Sequence, residues 1–205
     1  APTLRVHRSF GMAYEAEKRG DGVVLKGHPS VANSLSQDLG GWREMIAPGA
    51  FDETLRQNND VYALFNHDPS LIVAAQQDGS LRLSQDDKGL YSEMDPIDTQ
   101  TIRDLVVTPI QQGKLNKMSF AFDVLDADWE VHEGTEVRVV RRVRLYDVAP
   151  VTMPAYLGTD ISSRTLDAIV RSMPRDRVLR LLDARAEHGT EEECTAAGGE
   201  WDGEM

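Results

Sequence analysis

Two long strand-like runs constrain this chain more than any other feature. Residues 117–131, KMSFAFDVLDADWEV, and 135–151, TEVRVVRRVRLYDVAPV, are rich in β-branched and aromatic residues, with HEGT at the junction. Strands of this length bury an apolar face only against another sheet or a helix. The expectation is two long strands joined by HEGT within a strand-rich body. In the first run Met118, Phe120 and Phe122 share one face, while Ser119, Ala121 and Asp123 share the other. The bulky face calls for a core.

Other segments extend the β pattern. RGDG at 19–22 reads as a turn between short strands, and LRLSQDDKGLYSEM at 81–94 reads as a hairpin turning at DDKG. Two helices are expected in the body. One covers roughly 50–57, AFDETLRQ, after Pro48 and Gly49. The other covers roughly 98–112, capped by Asp98 or Thr99, with Ile102, Leu105, Val106 and Ile110 on one face and Gly113 ending it. Pro109 is expected to kink or shorten that helix. After residue 160 the pattern turns helical: TLDAIVRSM breaks at Pro174, and RDRVLRLLDARAE resumes with Val178, Leu179, Leu181 and Leu182. Residues 189–205, GTEEECTAAGGEWDGEM, hold six acidic residues and no basic one, half of the net charge of -12, and read as a flexible acidic tail. The chain therefore divides into a body at 1–164, a helical segment at 165–188 and the tail at 189–205. The fold class expected is α+β, mainly β: a barrel-like sheet surrounded by a few helices.

Charge and composition narrow the function. A chain with net charge -12 is repelled by nucleic acid and by anionic membranes, so neither is expected as a partner. No apolar run reaches the length of a membrane span, and APTLRVHRSF lacks the apolar region of a signal peptide. That opening also lacks an initiator Met, which points to a start upstream or to processing. The single cysteine, Cys194, rules out an internal disulfide and a cysteine zinc cluster, and a reducing compartment is expected. There is no phosphate-cradling glycine loop and no histidine pair at metal spacing, so no cofactor or metal is expected.

Nucleophilic hydrolysis needs a nucleophile, a base and a group that orients the base. Of His7, His28, His67, His132 and His188, His67 is the strongest base candidate. In LFNHDPS an apolar strand ends on it, with Asn66 and Asp68 beside it. Ser119 is the candidate nucleophile, because its small face would leave room for a substrate backbone beside the hydroxyl. Asp147, in RLYDVAPVTMPAY, is the candidate third member near a strand end, and Asp68 and Asp123 are rivals for that role. Taken singly, each of these residues also fits an ordinary structural role: a turn histidine, a strand serine, a solvated strand-end aspartate.

The ordered series HRSF, GHPSVANSLSQDLGGWREMIAPGAFDETL, LFNHDPS, LRLSQDDKGL, KMSFAF and LYDVAPVTMPAY resembles the prohead, or capsid maturation, proteases of tailed bacteriophages over roughly residues 4–164. The resemblance implies a serine endopeptidase related to the herpesvirus assembly protease (assemblin), with chain order His67, Ser119, Asp147. Two departures stand out. Phe120 is followed by Ala121 where the family usually has glycine, and Asp147 stands where a glutamate is common. Backbone amides near Ala155 or Tyr156 are the candidates for an oxyanion hole. The resemblance further implies action in the host cytoplasm, inside an assembling procapsid. Scaffold or the scaffolding segment of the major capsid protein would be substrate, followed by the protease itself. The portal and a second copy of the chain are further candidate partners. The competing expectation is a proteolytically inactive assembly or scaffold protein of the same fold; an unrelated β-barrel binding module would leave the ordered motifs unexplained.

Overall fold

A computed structural model describes residues 6–10, 14–20, 22–39, 41–57, 60–153, 173–180 and 182–183. The long hairpin is its spine. β9 (Lys117–His132) and β10 (Thr135–Val151) pair antiparallel along their length. Glu133 and Gly134 take left-handed φ of 50° and 81° between them, the backbone a tight two-residue turn requires.

β1 (Val6–Phe10) lines the other edge of β9, with Ser9 opposite Ser119. The far edge of β10 is shared by two short parallel strands laid end to end. β4 (Trp42–Ile46) pairs with Glu136–Val140, and β5 (Tyr62–Leu64) pairs with Asp147 and Val148. α1 (Asp52–Gln57) and the turn before it fill the gap between them. Ala50 accepts a hydrogen bond from the Val143 amide at 3.1 Å, and the buried Thr54 hydroxyl accepts one from the Leu145 amide at 3.1 Å. The β10 backbone thus stays satisfied where no strand lies beside it. β6 (Ile72–Ala75) completes this six-stranded sheet against β5.

The second sheet has the order β2 (Glu15–Arg19), β3 (Gly22–Val31), β8 (Gly89–Met94), β7 (Leu81–Gln85). The expected 81–94 hairpin is β7 and β8. Its turn lies against β3: Ala32 donates to the Lys88 carbonyl at 2.8 Å, and His28 Nε2 sits 2.8 Å from Asp86 Oδ2. Gly89, at φ 142°, has no alternative, since a Cβ there would come within 2.3 Å of the Ser30 carbonyl oxygen. One apolar core joins the two sheets, with Leu25, Leu81, Leu90 and Met94 from one and Met118, Phe120, Phe122 and Leu145 from the other. The mainly-β expectation holds, whereas the expected barrel does not close: the described strands form two open sheets.

The 98–112 helix is broken in a different way from the kink expected at Pro109. α2 (Gln100–Ile102) and α3 (Thr108–Gln111) flank a π-helical segment at Arg103–Val107. Pro109 has no amide hydrogen to give to Leu105, and the turn before it widens so that Thr108 bonds to Arg103 instead. Thr99 caps the start, as expected, by accepting from the Ile102 amide.

Residues 175–180 are helical, as the pattern after Pro174 implied. This turn is clamped to β10: the buried Glu136 carboxylate accepts from Arg177 at 2.6 Å and from Arg180 at 2.9 Å. Leu179 and Leu182 are exposed, whereas TLDAIV and the acidic tail lie outside the described residues.

Candidate active site

His67 is delivered by a short turn rather than by the strand itself. β5 ends at Leu64, and Phe65–His67 form a single 3-10 turn. Asn66 and His67 both have left-handed backbone, at φ 54° and 59°. Two consecutive non-glycine residues in that region are strained, and asparagine tolerates it better than most. The Asn66 side-chain carbonyl fixes the turn by accepting from the Thr152 amide at 2.9 Å and from its hydroxyl at 3.3 Å. Thr152 directly follows the end of β10.

From that turn the imidazole reaches two strands at once. Nδ1 lies 2.5 Å from Asp147 Oδ1 on β10, and Nε2 lies 2.7 Å from Ser119 Oγ on β9. With the proton on Nδ1 donated to the carboxylate, Nε2 is left to accept from the serine hydroxyl. Asp147 is 4% exposed and Ser119 is 0% exposed, and the imidazole is largely buried between them. The aspartate, one methylene shorter than glutamate, still spans the distance.

The rival carboxylates are occupied elsewhere. Asp68 Oδ1 accepts from the Ser70 hydroxyl at 2.5 Å and from the Ser70 amide at 2.8 Å. These bonds hold its carboxyl below the usual carboxylate range and commit it to the turn around Pro69. Asp123 accepts from the Tyr146 hydroxyl at 2.6 Å. Of the other histidines, His28 holds Asp86, His132 sits 3.0 Å from Glu130, and His188 lies outside the described residues. His7 is on β1.

The small face of β9 is not open. Ser119, Ala121 and Asp123 are all buried, contrary to the room expected beside the hydroxyl. The oxyanion-hole candidates Ala155 and Tyr156 lie outside the described residues. A cleft lined by Arg19, Val23, Asp95, Ile97, Asp98 and Arg103 is elsewhere, with none of the three site residues in its wall.

An imidazole bridging a serine hydroxyl and a buried carboxylate is the arrangement of serine hydrolases. Residues 12–172 match the family of caudovirus prohead serine proteases. The chain belongs to that family. Among solved structures this family member is similar to the bacteriophage T4 capsid assembly protease, at 13% sequence identity and a TM-score of 0.54 over 75% of this chain and 100% of that one. At that identity the likeness shows a shared fold. No curated protein matches the sequence.

Three features of this site escaped the sequence. They are the left-handed pair Asn66–His67, the Asn66–Thr152 tie, and an irregularity of β10 beside Asp147. Asparagine in LFNHDPS was the one visible signal, because it is the non-glycine residue best suited to left-handed backbone.

Proposed function

We propose that the chain is a serine endopeptidase of phage procapsid maturation, with Ser119 as nucleophile, His67 as general base and Asp147 as the group that orients His67. The observation that carries this is the continuous path from the Ser119 hydroxyl through the imidazole to the Asp147 carboxylate, at 2.7 and 2.5 Å. Nε2 takes the hydroxyl proton as Ser119 Oγ attacks the scissile carbonyl, and returns it to the leaving amine. Asp147 holds the imidazole in the tautomer that leaves Nε2 free and stabilises the imidazolium. Water then attacks the acyl-enzyme with His67 again as base. Scaffold, or the scaffolding segment of the capsid protein, is the substrate, cleaved inside the assembling procapsid in the host cytoplasm, and the protease then cleaves itself. Family membership supports the capsid setting.

A second reading is a proteolytically inactive assembly protein of the same fold, and the burial of Ser119 favours it. A fluorophosphonate probe distinguishes the two. The expected result is a single adduct on Ser119, abolished by Ser119→Ala and by His67→Ala. A folded wild-type chain that takes up no label would rule out the protease reading.

A further inference from the structure

We propose that Tyr146 and Asp123 form a positioning pair, which sets the β-bulge that presents Asp147 to His67; the inference rests on Asp147 being the third member of the triad. Its basis is the ladder between β9 and β10. Leu145 lies opposite Phe122 and Asp147 lies opposite Ala121, so Tyr146 is an extra residue on β10. Phe122 and Leu145 are both 0% exposed and belong to the core. Strict alternation from Leu145 would return Asp147 to that core face, opposite Phe120 and away from Ser119. One inserted residue reverses the parity, and this is how a bulge re-aims a side chain. Asp147 then shares the face of Ala121 and Ser119 and reaches Nδ1 of His67 at 2.5 Å.

A bulge on a long ladder needs something to fix its position. Here the extra residue is tied across the strands: the Tyr146 hydroxyl donates to Asp123 Oδ2 at 2.6 Å. The Arg144 guanidinium lies 5.6 Å from the centre of the Tyr146 ring and packs it. Asp123 is 2% exposed, and its other oxygen, Oδ1, is buried with no hydrogen-bond partner among the described residues. A buried carboxylate so poorly satisfied costs stability compared with an apolar side chain of similar volume. The bond to Tyr146 gives that residue a purpose that packing does not.

The test uses the full chain. Labelling by a fluorophosphonate is followed to saturation for wild type, Tyr146→Phe, Asp123→Leu, Asp147→Asn and the double variant Tyr146→Phe/Asp147→Asn. Proton NMR of the Ser119→Ala chain, which cannot digest itself, reads the low-field signal of the His67 Nδ1–H bonded to Asp147. The same signal is read with Tyr146→Phe added. The expected outcome for Tyr146→Phe is a maximal labelling rate about 10- to 100-fold lower, the cost of a misplaced catalytic group. Half-saturation stays within about twofold of wild type, because the probe's own contacts are untouched. The low-field signal shifts or broadens, and the double variant is no slower than Asp147→Asn alone. Wild-type labelling and an unchanged signal in Tyr146→Phe would overturn the inference, even if its melting temperature fell. If Tyr146→Phe does not fold, Asp123→Leu carries the same expectation, since it removes the acceptor at similar volume. A wild-type rate in Asp147→Asn would instead overturn the triad reading.

Discussion

At the scale of single residues, one imidazole links groups from three separate stretches of chain. Ser119 and Asp147 sit on neighbouring strands, and His67 enters from a turn held by Asn66. In the proposed triad the three act as a unit, so their substitutions should differ in kind. Ser119→Ala and His67→Ala are expected to lose nearly all turnover on a peptide substrate while keeping the wild-type melting temperature to within a few degrees. Asp147→Asn keeps the shape but offers the wrong hydrogen-bonding partner to Nδ1; in serine proteases that change costs on the order of 10⁴ in rate. Asp68→Asn should stay close to wild type, because Asp68 serves Ser70 and not the imidazole. A turnover series with melts as the folding control checks all four, and a collapse in Asp68→Asn would mean that the third member is misassigned. All three candidates could be named from the sequence once the motifs were taken in order. Their contact could not be read there, because a separation of 80 residues between His67 and Asp147 has no local signature.

At the scale of elements, the four-stranded sheet carries a charge network around one carboxylate. Glu93 on β8 accepts from Arg82 on β7 at 2.8 Å and pairs with Arg19 on β2 at 3.2 Å. Lys26 on β3 lies 3.9 Å away. The Arg82 hydrogen bond, with the charges of Arg19 and Arg82, holds the Glu93 carboxyl below its ordinary value. A carboxyl lowered on folding contributes its stabilisation above the unfolded value, near 4.3, and loses it as pH falls through the lowered one. Glu93→Gln is therefore expected to cost about 1 kcal/mol at pH 7. That gap should close in acid, once the carboxyl is protonated in both states. Urea melts of the two proteins at pH 7 and near pH 3 would reveal it, and a gap that persists undiminished in acid would assign the loss to packing instead. The hairpin was readable from DDKG and its flanking alternation, but the network was not. Its charges come from four strands, and only the sheet order makes them neighbours.

At the scale of the whole molecule, the helical turn at 175–180 is held to β10 by the Arg177 and Arg180 bonds to Glu136. In the proposed role a protease inside a closed shell must itself be removed, and the acidic, glycine-containing sequence at 189–205, with little to bury, has the composition of a ready substrate. The active chain is expected to shorten by cleavage after about residue 160, while Ser119→Ala stays intact under the same incubation. Intact-mass spectrometry over time resolves the two, and identical fragments from both would point to a contaminating protease.

The sequence by itself determined the two long strands and the turn between them, the mainly-β character of the body and the three candidate residues. These depend on local alternation, turn chemistry and the order of motifs, all written in neighbouring residues. Only the tertiary structure decided that the sheets stay open and that Pro109 is met by a π-helical turn. It also decided that Asp147 faces Ser119 at all. From Leu145 the period of two points Asp147 into the core, and a single extra residue at Tyr146 turns it round. A bulge has no periodicity of its own, because it exists only in the register of one strand against another.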